Sequence, residues 1–224
     1  MAMVIDAAGV NPSGARLFGK IRMLAFGAVA FVLSACADTV FEGINLSDTE
    51  APKLNHGIEK PLVTVGTRFT FTNPDVTWEV VDYAGDYVVW RDNSGNELLT
   101  SYDPFLPAIQ WSGPQESGRR DIKILEGGLF PISEGKTVRY DVKGHADRPP
   151  SVWRAEWSCL VQARLEITVP AGKADTWPVM CSRNGREEFL FHFDPDIGHY
   201  VQVATFVSGQ PTVRQLKVYQ RGPQ

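Results

Sequence analysis

The feature that most constrains the fold of this chain is a strict alternation of residue types between Cys159 and Val169. Every odd position in this stretch is apolar, whereas the even positions include Gln, Arg, Glu and Thr. Because successive side chains of a β-strand point to opposite faces, the alternation predicts one long strand with one face on a core. A turn follows at Pro170-Ala171-Gly172, and a return strand keeps the same parity with Trp177, Val179 and Cys181.

The two cysteines of this hairpin, Cys159 and Cys181, are predicted to form a disulfide. A three-residue loop places Cys159 opposite Arg183, which makes Cys181 a diagonal neighbour on the same face. Diagonal Cβ atoms in a sheet are about 7–8 Å apart, whereas a disulfide needs about 3.8 Å. A bulge or a strong twist is therefore required, and the alternative is a pair of buried free thiols.

The chain from Val65 onward reads as many short strands separated by turn residues. Turn signals recur every eight to twelve residues, a spacing typical of sandwiches and barrels, and no segment in this part shows a sustained helical period. We therefore predict an all-β fold, an antiparallel meander that forms an open barrel or a sandwich. An echo between Gly66–Phe71 and Gly135–Tyr140 suggests two related halves, residues 65–134 and 135–224.

The N-terminal region has the composition of an export signal. Arg16, Lys20 and Arg22 precede an apolar run from Met23 to Leu33, which is too short to span a bilayer as a helix. The run ends in Leu33-Ser34-Ala35-Cys36, which resembles the lipobox of bacterial lipoproteins. The resemblance implies that Cys36 receives a diacylglyceryl group, that cleavage occurs between Ala35 and Cys36, and that the new amino terminus is acylated. A chance or buried cysteine behind an apolar helix is the alternative.

The resemblance also implies a domain organisation and a location. Residues 1–35 would be a signal peptide that begins as a helix, residues 36–64 the lipidated cysteine and a tether, and residues 65–224 a single all-β domain. An ordered edge strand is the alternative for the tether. In proteobacterial lipoproteins an Asp directly after the lipidated Cys directs retention at the inner membrane. Because Ala37 stands there, the resemblance implies the periplasmic face of the outer membrane. The later VPAG turn, inward Cys and aromatic strand are similar to segments of uncharacterised all-β envelope proteins.

Composition limits the partners of the predicted mature chain of 189 residues. It carries 19 basic and 25 acidic residues, and no basic cluster is larger than Arg119-Arg120. Nucleic acid is therefore not an expected partner. The expected partner is the membrane, reached through acyl chains on Cys36. A protein or glycan partner is left open.

The residues that could carry chemistry are few. His192, Asp194, Asp196 and His199 fall within eight positions, and such sets can bind divalent metals. An outward His192 on an aromatic strand and an ordinary Asp-Pro-Asp-Ile-Gly turn explain them more simply, so we expect neither a metal nor another cofactor. Serine-nucleophile and zinc-protease motifs are absent. Acidic pairs that could act on a glycan are Asp82 with Asp86 and Glu187 with Glu188.

These observations predict a non-enzymatic, lipid-anchored envelope protein that binds or scaffolds. One alternative is a carrier of a lipid or other apolar ligand, in which some of the six tryptophans line a cavity. A weaker alternative is a hydrolase of envelope glycans. We expect most of the tryptophans to belong to the core instead, because a domain without helices fills its core with aromatic rings.

Overall fold

The computed structural model describes residues 54–207 and 210–223. This part of the chain is all β-structure, and none of its residues lies in a helix long and apolar enough to cross a membrane. The strands, in chain order, are β1 Arg68–Phe71, β2 Val76–Ala84, β3 Tyr87–Asp92, β4 Glu97–Ser101, β5 Gln110–Ser112, β6 Gly118–Gly127, β7 Thr137–Ala146, β8 Val152–Val161, β9 Leu165–Val169, β10 Gly172–Arg183, β11 Arg186–Asp194, β12 His199–Val207 and β13 Gln210–Gln220.

Twelve of these strands form a closed antiparallel barrel. Neighbours along the chain pair with each other, except that β10 replaces β9 beside β8. The ring closes because β13 pairs with β1, where Tyr219 lies opposite Phe69, and because β10 also pairs with β11. The predicted all-β antiparallel meander is thus confirmed, and of the two architectures it is the barrel that forms.

The alternation of residue types decides which side chains face the core. On β7, Val138, Tyr140 and Val142 are buried. Thr137, Arg139 and Lys143, which have the opposite parity along the strand, are exposed. The core is rich in aromatic rings; Phe69, Phe71, Tyr140, Phe191 and Phe193 are each at most 2 % exposed. Of the six tryptophans, Trp78, Trp90 and Trp111 are buried, and the other three pack partly buried against the core.

The outer face of β6, β7 and β8 carries charged side chains in place of the apolar side chains of the core. Arg139 lies between Glu126 and Glu156, with its guanidinium 2.7 Å from the Glu156 carboxylate. Arg154 of β8 forms a second ion pair with Asp141 of β7. These pairs are exposed and each contributes little to stability, but they mark this side of the barrel as one that faces water.

The hairpin around the two cysteines differs from the prediction in its register. Gly172 pairs directly with Val169, so the loop has two residues rather than three, and Cys159 faces Cys181 instead of Arg183. Gly172 has a φ of 131°, a conformation that glycine adopts readily and other residues rarely. The predicted single strand from Cys159 to Val169 is also wrong, because residues 162–164 interrupt it between β8 and β9.

The interruption removes the geometric difficulty that the predicted register raised. With the two cysteines directly opposite, their Cα atoms are 4.1 Å apart and the structure joins them by a disulfide. Both residues are at most 2 % exposed. The bridge closes a sequence separation of 22 residues, for which the chain-entropy model gives about 3 kcal/mol of stabilisation.

The end of the predicted tether is part of the folded domain. Leu54, Ile58 and Val63 are at most 7 % exposed. Asn55 accepts a hydrogen bond from the backbone of Tyr102 and donates one to the carbonyl of Asp86. Residues 54–64, which were expected in the tether, thus pack against the barrel, because apolar residues at irregular spacing anchor this segment without forming a strand. We call residues 54–64 the strap.

Two further segments between strands fill the core. Phe105 and Leu106, between β4 and β5, are at most 2 % exposed, and Leu129, between β6 and β7, is fully buried. The ring of Phe105 contacts Phe130 and Phe193, with centroids 6.0 and 5.4 Å away. These contacts place parts of the β4–β5 and β6–β7 loops in the core.

The two halves suggested by the sequence echo each supply six barrel strands. The first contributes β1 to β6, and the second contributes β7, β8 and β10 to β13. The echoing segments accordingly form β1 and β7, six places apart in the ring of twelve. That the halves are related by descent stays a prediction.

Candidate functional site

The four residues considered as metal ligands lie near one another along the chain but do not form a metal site. Among the residues that the structure describes, no group of three or more His, Cys, Asp or Glu side chains could hold a metal ion. Asp194 accepts hydrogen bonds from the backbone amides of Asp196 and Ile197, at 2.9 and 3.3 Å, and thereby shapes the β11–β12 turn. Asp196 is exposed.

His192 departs from its predicted exposure. It does alternate with Phe191 and Phe193, but it is only 7 % exposed. Its Nδ1 lies 3.3 Å from the hydroxyl of Thr176, which donates its own hydrogen to the carbonyl of Leu165. Nδ1–H of His192 is therefore the donor to Thr176. Burial lowers the pKa of His192, so the ring is neutral at pH 7.

His199 lies in a cluster of aromatic rings. Its ring centroid is 4.6 Å from that of Phe69, 5.6 Å from Trp90 and 4.2 Å from Tyr200. Its Nδ1 donates to the backbone carbonyl of Tyr200 at 3.0 Å. In the neutral ring the other nitrogen, Nε2, is then a hydrogen-bond acceptor.

Within residues 54–207 and 210–223, that acceptor has no partner. His199 is 2 % exposed, and its Nε2 is buried without a hydrogen bond. Burial places the pKa of His199 well below its ordinary value, because the charged ring would lose its hydration. A buried polar atom of this kind costs free energy in the empty protein, and a group that donates a hydrogen bond to it would recover that cost.

A pocket adjoins this histidine. Its free volume is about 20 Å³, which is room for about one water molecule. Its wall combines apolar surface with hydroxyl groups; the lining residues are Leu62, Val63, Val88, Trp90, Thr100, Ser101, Tyr102, Pro104, Gly198 and His199.

The strap forms one side of the pocket mouth. Leu62 is 40 % exposed there, while Val63 beside it is buried. The Tyr83 hydroxyl donates to the carbonyl of Val63. Gly198 permits the strap to approach closely, since a Cβ at that position would lie 2.7 Å from the carbonyl oxygen of Leu62. The segment that leads from the predicted anchor into the barrel therefore also shapes the pocket.

A buried carboxyl group lies in the loop next to the pocket. Asp103 precedes Pro104 of the pocket wall and is 4 % exposed. Burial raises the pKa of Asp103 to about 7, although its carboxylate accepts a hydrogen bond from the amide of Phe105. This side chain therefore changes charge near neutral pH.

Comparison with known proteins gives likenesses of fold only. No protein-family model matches the chain, and no curated protein has a significantly similar sequence. A hypothetical lipoprotein of Escherichia coli K12, YmcC, is similar in structure with a TM-score of 0.46 and 10 % identity, over 70 % of this chain and 84 % of that one. A Bacteroides fragilis protein described as exported and YmcC-like in fold has a TM-score of 0.37 and 8 % identity, over 72 % and 98 % of the two chains. Neither likeness is close enough to assign a function.

The remaining predicted site residues are only partly covered by the structure. Ala35 and Cys36 lie outside the described residues, as does the predicted signal helix. Of the acidic pairs, Glu188 forms an ion pair with Arg183, and Asp82 accepts a hydrogen bond from the amide of Tyr83. The pocket beside His199 was missed in the sequence because its walls come from the strap, from β3 and β4 and from the start of β12, which are far apart along the chain.

Proposed function

We propose that this protein is a lipid-anchored lipoprotein of the bacterial envelope, held on the periplasmic face of the outer membrane, whose barrel binds rather than catalyses. The observation that carries the proposal is the sequence Leu33-Ser34-Ala35-Cys36 behind a basic and apolar leader. An export signal and a cysteine pair joined by a disulfide agree with an oxidising compartment.

The pocket beside His199 is the proposed binding site. His199, whose Nε2 is a buried acceptor without a partner among the described residues, lines it, and Leu62 and Trp90 add apolar surface. A ligand suited to it is a hydrogen-bond donor not much larger than a water molecule, since the free volume is about 20 Å³. Such a ligand would exchange an unsatisfied buried nitrogen for a hydrogen bond, which favours binding.

Replacing Cys36 with serine tests the anchor. In the proposed protein, the N-terminal peptide recovered from native membranes begins at an acylated Cys36. The Cys36→Ser variant keeps its leader, because serine lacks the thiol that takes the lipid, and it no longer sediments with separated outer membranes as the processed form. An Ala37→Ser variant is the matched control, since it leaves the thiol in place. A Cys36→Ser chain that is processed and fractionates like the parent would refute the anchor.

A carrier of an apolar ligand is the second candidate function. The apolar part of the pocket wall, formed by Leu62, Val63, Val88 and Trp90, suits an apolar ligand, and a carrier requires the free volume of about 20 Å³ to widen when the ligand enters. For a carrier, native mass spectrometry of protein extracted from its own membranes shows a bound mass that exceeds the acylated chain. We expect that mass to disappear in Leu62→Trp, which fills the pocket mouth, and to remain in Val152→Trp, at a residue that is 59 % exposed on β8. A parent protein that carries no such mass would contradict the carrier function.

A further inference from the structure

An apolar row crosses five strands on the outside of the barrel. Leu160 of β8 pairs with Met180 of β10, which pairs with Leu190 of β11. Leu190 pairs with Ala204 of β12, and Ala204 pairs with Val213 of β13. These residues alternate with core positions such as Cys159, Cys181 and Phe189, so they lie on the outer face. We call the five residues the apolar row.

The two ends of the apolar row are exposed to solvent. Leu160 is 44 % and Val213 is 36 % exposed, Met180 and Leu190 between them are half-buried, and the small Ala204 is 7 % exposed. In the next row on one side, Pro178 and His192 are buried, and Gln202 and Gln215 are half-buried and uncharged. This side of the barrel therefore differs from the face on β6 to β8, which is covered by ion pairs.

We propose that the apolar row docks the barrel on the lipid bilayer in which Cys36 is anchored. The inference rests on the proposed function, because the acyl chains on Cys36 bring the barrel to a membrane. Residues 37–53 separate the anchor from the strap, and seventeen residues can span at most about 60 Å. This length allows any side of the barrel to reach the bilayer, and contact through the apolar row removes apolar surface from water.

The size of the row favours lipid over a second copy of the chain. Five adjacent strands extend about 20 Å from the first to the last, and the row is one side chain wide with glutamines beside it. A stable protein interface needs about 800 Å² on each partner with a well-packed apolar centre. A bilayer interface accepts polar neighbours at headgroup level, and the tether keeps the barrel at a high local concentration, so that a weak contact is sufficient.

Photo-cross-linking in native membranes tests the docking. A photoreactive amino acid is placed at Val213 in the apolar row and, as the matched control, at Lys123, which is exposed on β6. We expect the label at position 213 to form phospholipid or lipopolysaccharide adducts at a level several-fold above that at position 123. In the same membranes, Leu160→Asp lowers the adduct at position 213 about tenfold, because a leucine leaves the lipid and a charge would have to enter it.

A second substitution on β8 separates docking from a general effect of added charge. Val152→Asp introduces the same charge at a residue that is 59 % exposed but lies beside the charged face, so the adduct at position 213 stays at the parental level. Equal lipid adducts at positions 213 and 123, or products that contain only a second copy or another protein, would overturn the docking. If the Cys36 peptide is acylated in that sample, only this inference fails; if it is not acylated, the proposed function fails as well.

Discussion

Replacing Asp103 with asparagine is expected to make the stability of the protein rise steeply with pH between about pH 5 and 6.5. Burial raises the pKa of Asp103 from 3.8 to about 7, so the folded parent binds a proton that the unfolded chain has released. This term lowers the free energy of unfolding by about 1.4 kcal/mol for each unit of rising pH between about 4 and 7. Asparagine does not titrate, so Asp103→Asn lacks this pH dependence of stability and keeps the opposite one that His199 contributes.

The contribution of His199 has the opposite sign. Its pKa is well below 6.5 in the fold, so below about pH 6.5 the unfolded chain binds a proton that the folded chain does not. Stability therefore falls by about 1.4 kcal/mol for each unit of falling pH in that range. His192, whose pKa is also lowered by burial, adds to this slope. In the parent, the slopes of stability against pH that Asp103 and His199 contribute have opposite signs and largely cancel.

Urea unfolding at half-unit steps from pH 5 to 8 measures both slopes. Asp103→Asn should show stability that increases up to about pH 6.5 and is then level. His199→Phe keeps a ring among Phe69, Trp90 and Tyr200 but cannot be protonated, so its stability should fall as the pH rises towards 7. Parallel profiles for the parent and both variants would show that neither buried group is linked to folding as described.

Replacing Phe105 with alanine is expected to lower the free energy of unfolding by about 3–5 kcal/mol, the usual cost of a large cavity in a core. Phe105 is 2 % exposed although it lies in a loop, and its ring contacts Phe130, Phe191 and Phe193 with centroids 6.0, 5.8 and 5.4 Å away. These contacts tie the β4–β5 loop to the β6–β7 loop and to β11.

Chemical denaturation of Phe105→Ala and Val152→Ala, compared with the parent, measures this effect. Val152 is 59 % exposed, so its truncation should change stability by no more than about 0.5 kcal/mol. A Phe105→Ala protein as stable as the Val152→Ala control would mean that the loop does not belong to the core. That outcome would also remove support for the position of Asp103, two residues away.

The strands were predictable because their residues alternate with a period of two. The odd positions from Cys159 to Val161 and from Trp177 to Cys181 face the core as expected. The register was not predictable, since it depends on a two-residue loop at Pro170-Ala171 and on the break at residues 162–164. Neither feature changes the alternation of residue types, so the pattern is the same for both registers.

Residues that are buried in segments between the strands show no periodic pattern in the sequence. Phe105, and Leu54, Ile58 and Val63 of the strap, have no periodic spacing, yet they are at most 7 % exposed. The lack of a hydrogen-bond partner at Nε2 of His199 was not predictable either, because it depends on which groups the fold brings next to the ring. Sequence therefore predicted the strands, whereas the pocket required three-dimensional contacts; the lipid anchor at Cys36 stays a prediction.

The pairing of β13 with β1 has a consequence for how the protein matures. Residues about 150 positions apart must meet before the last row of backbone hydrogen bonds can form, and contacts of such long range form slowly. Until β13 pairs, the other eleven strands of the barrel present two unpaired edges, which are templates for aggregation. β13 thus covers both edges of the sheet. A chain truncated before Gln210 would leave β1 and β12 as unpaired edge strands.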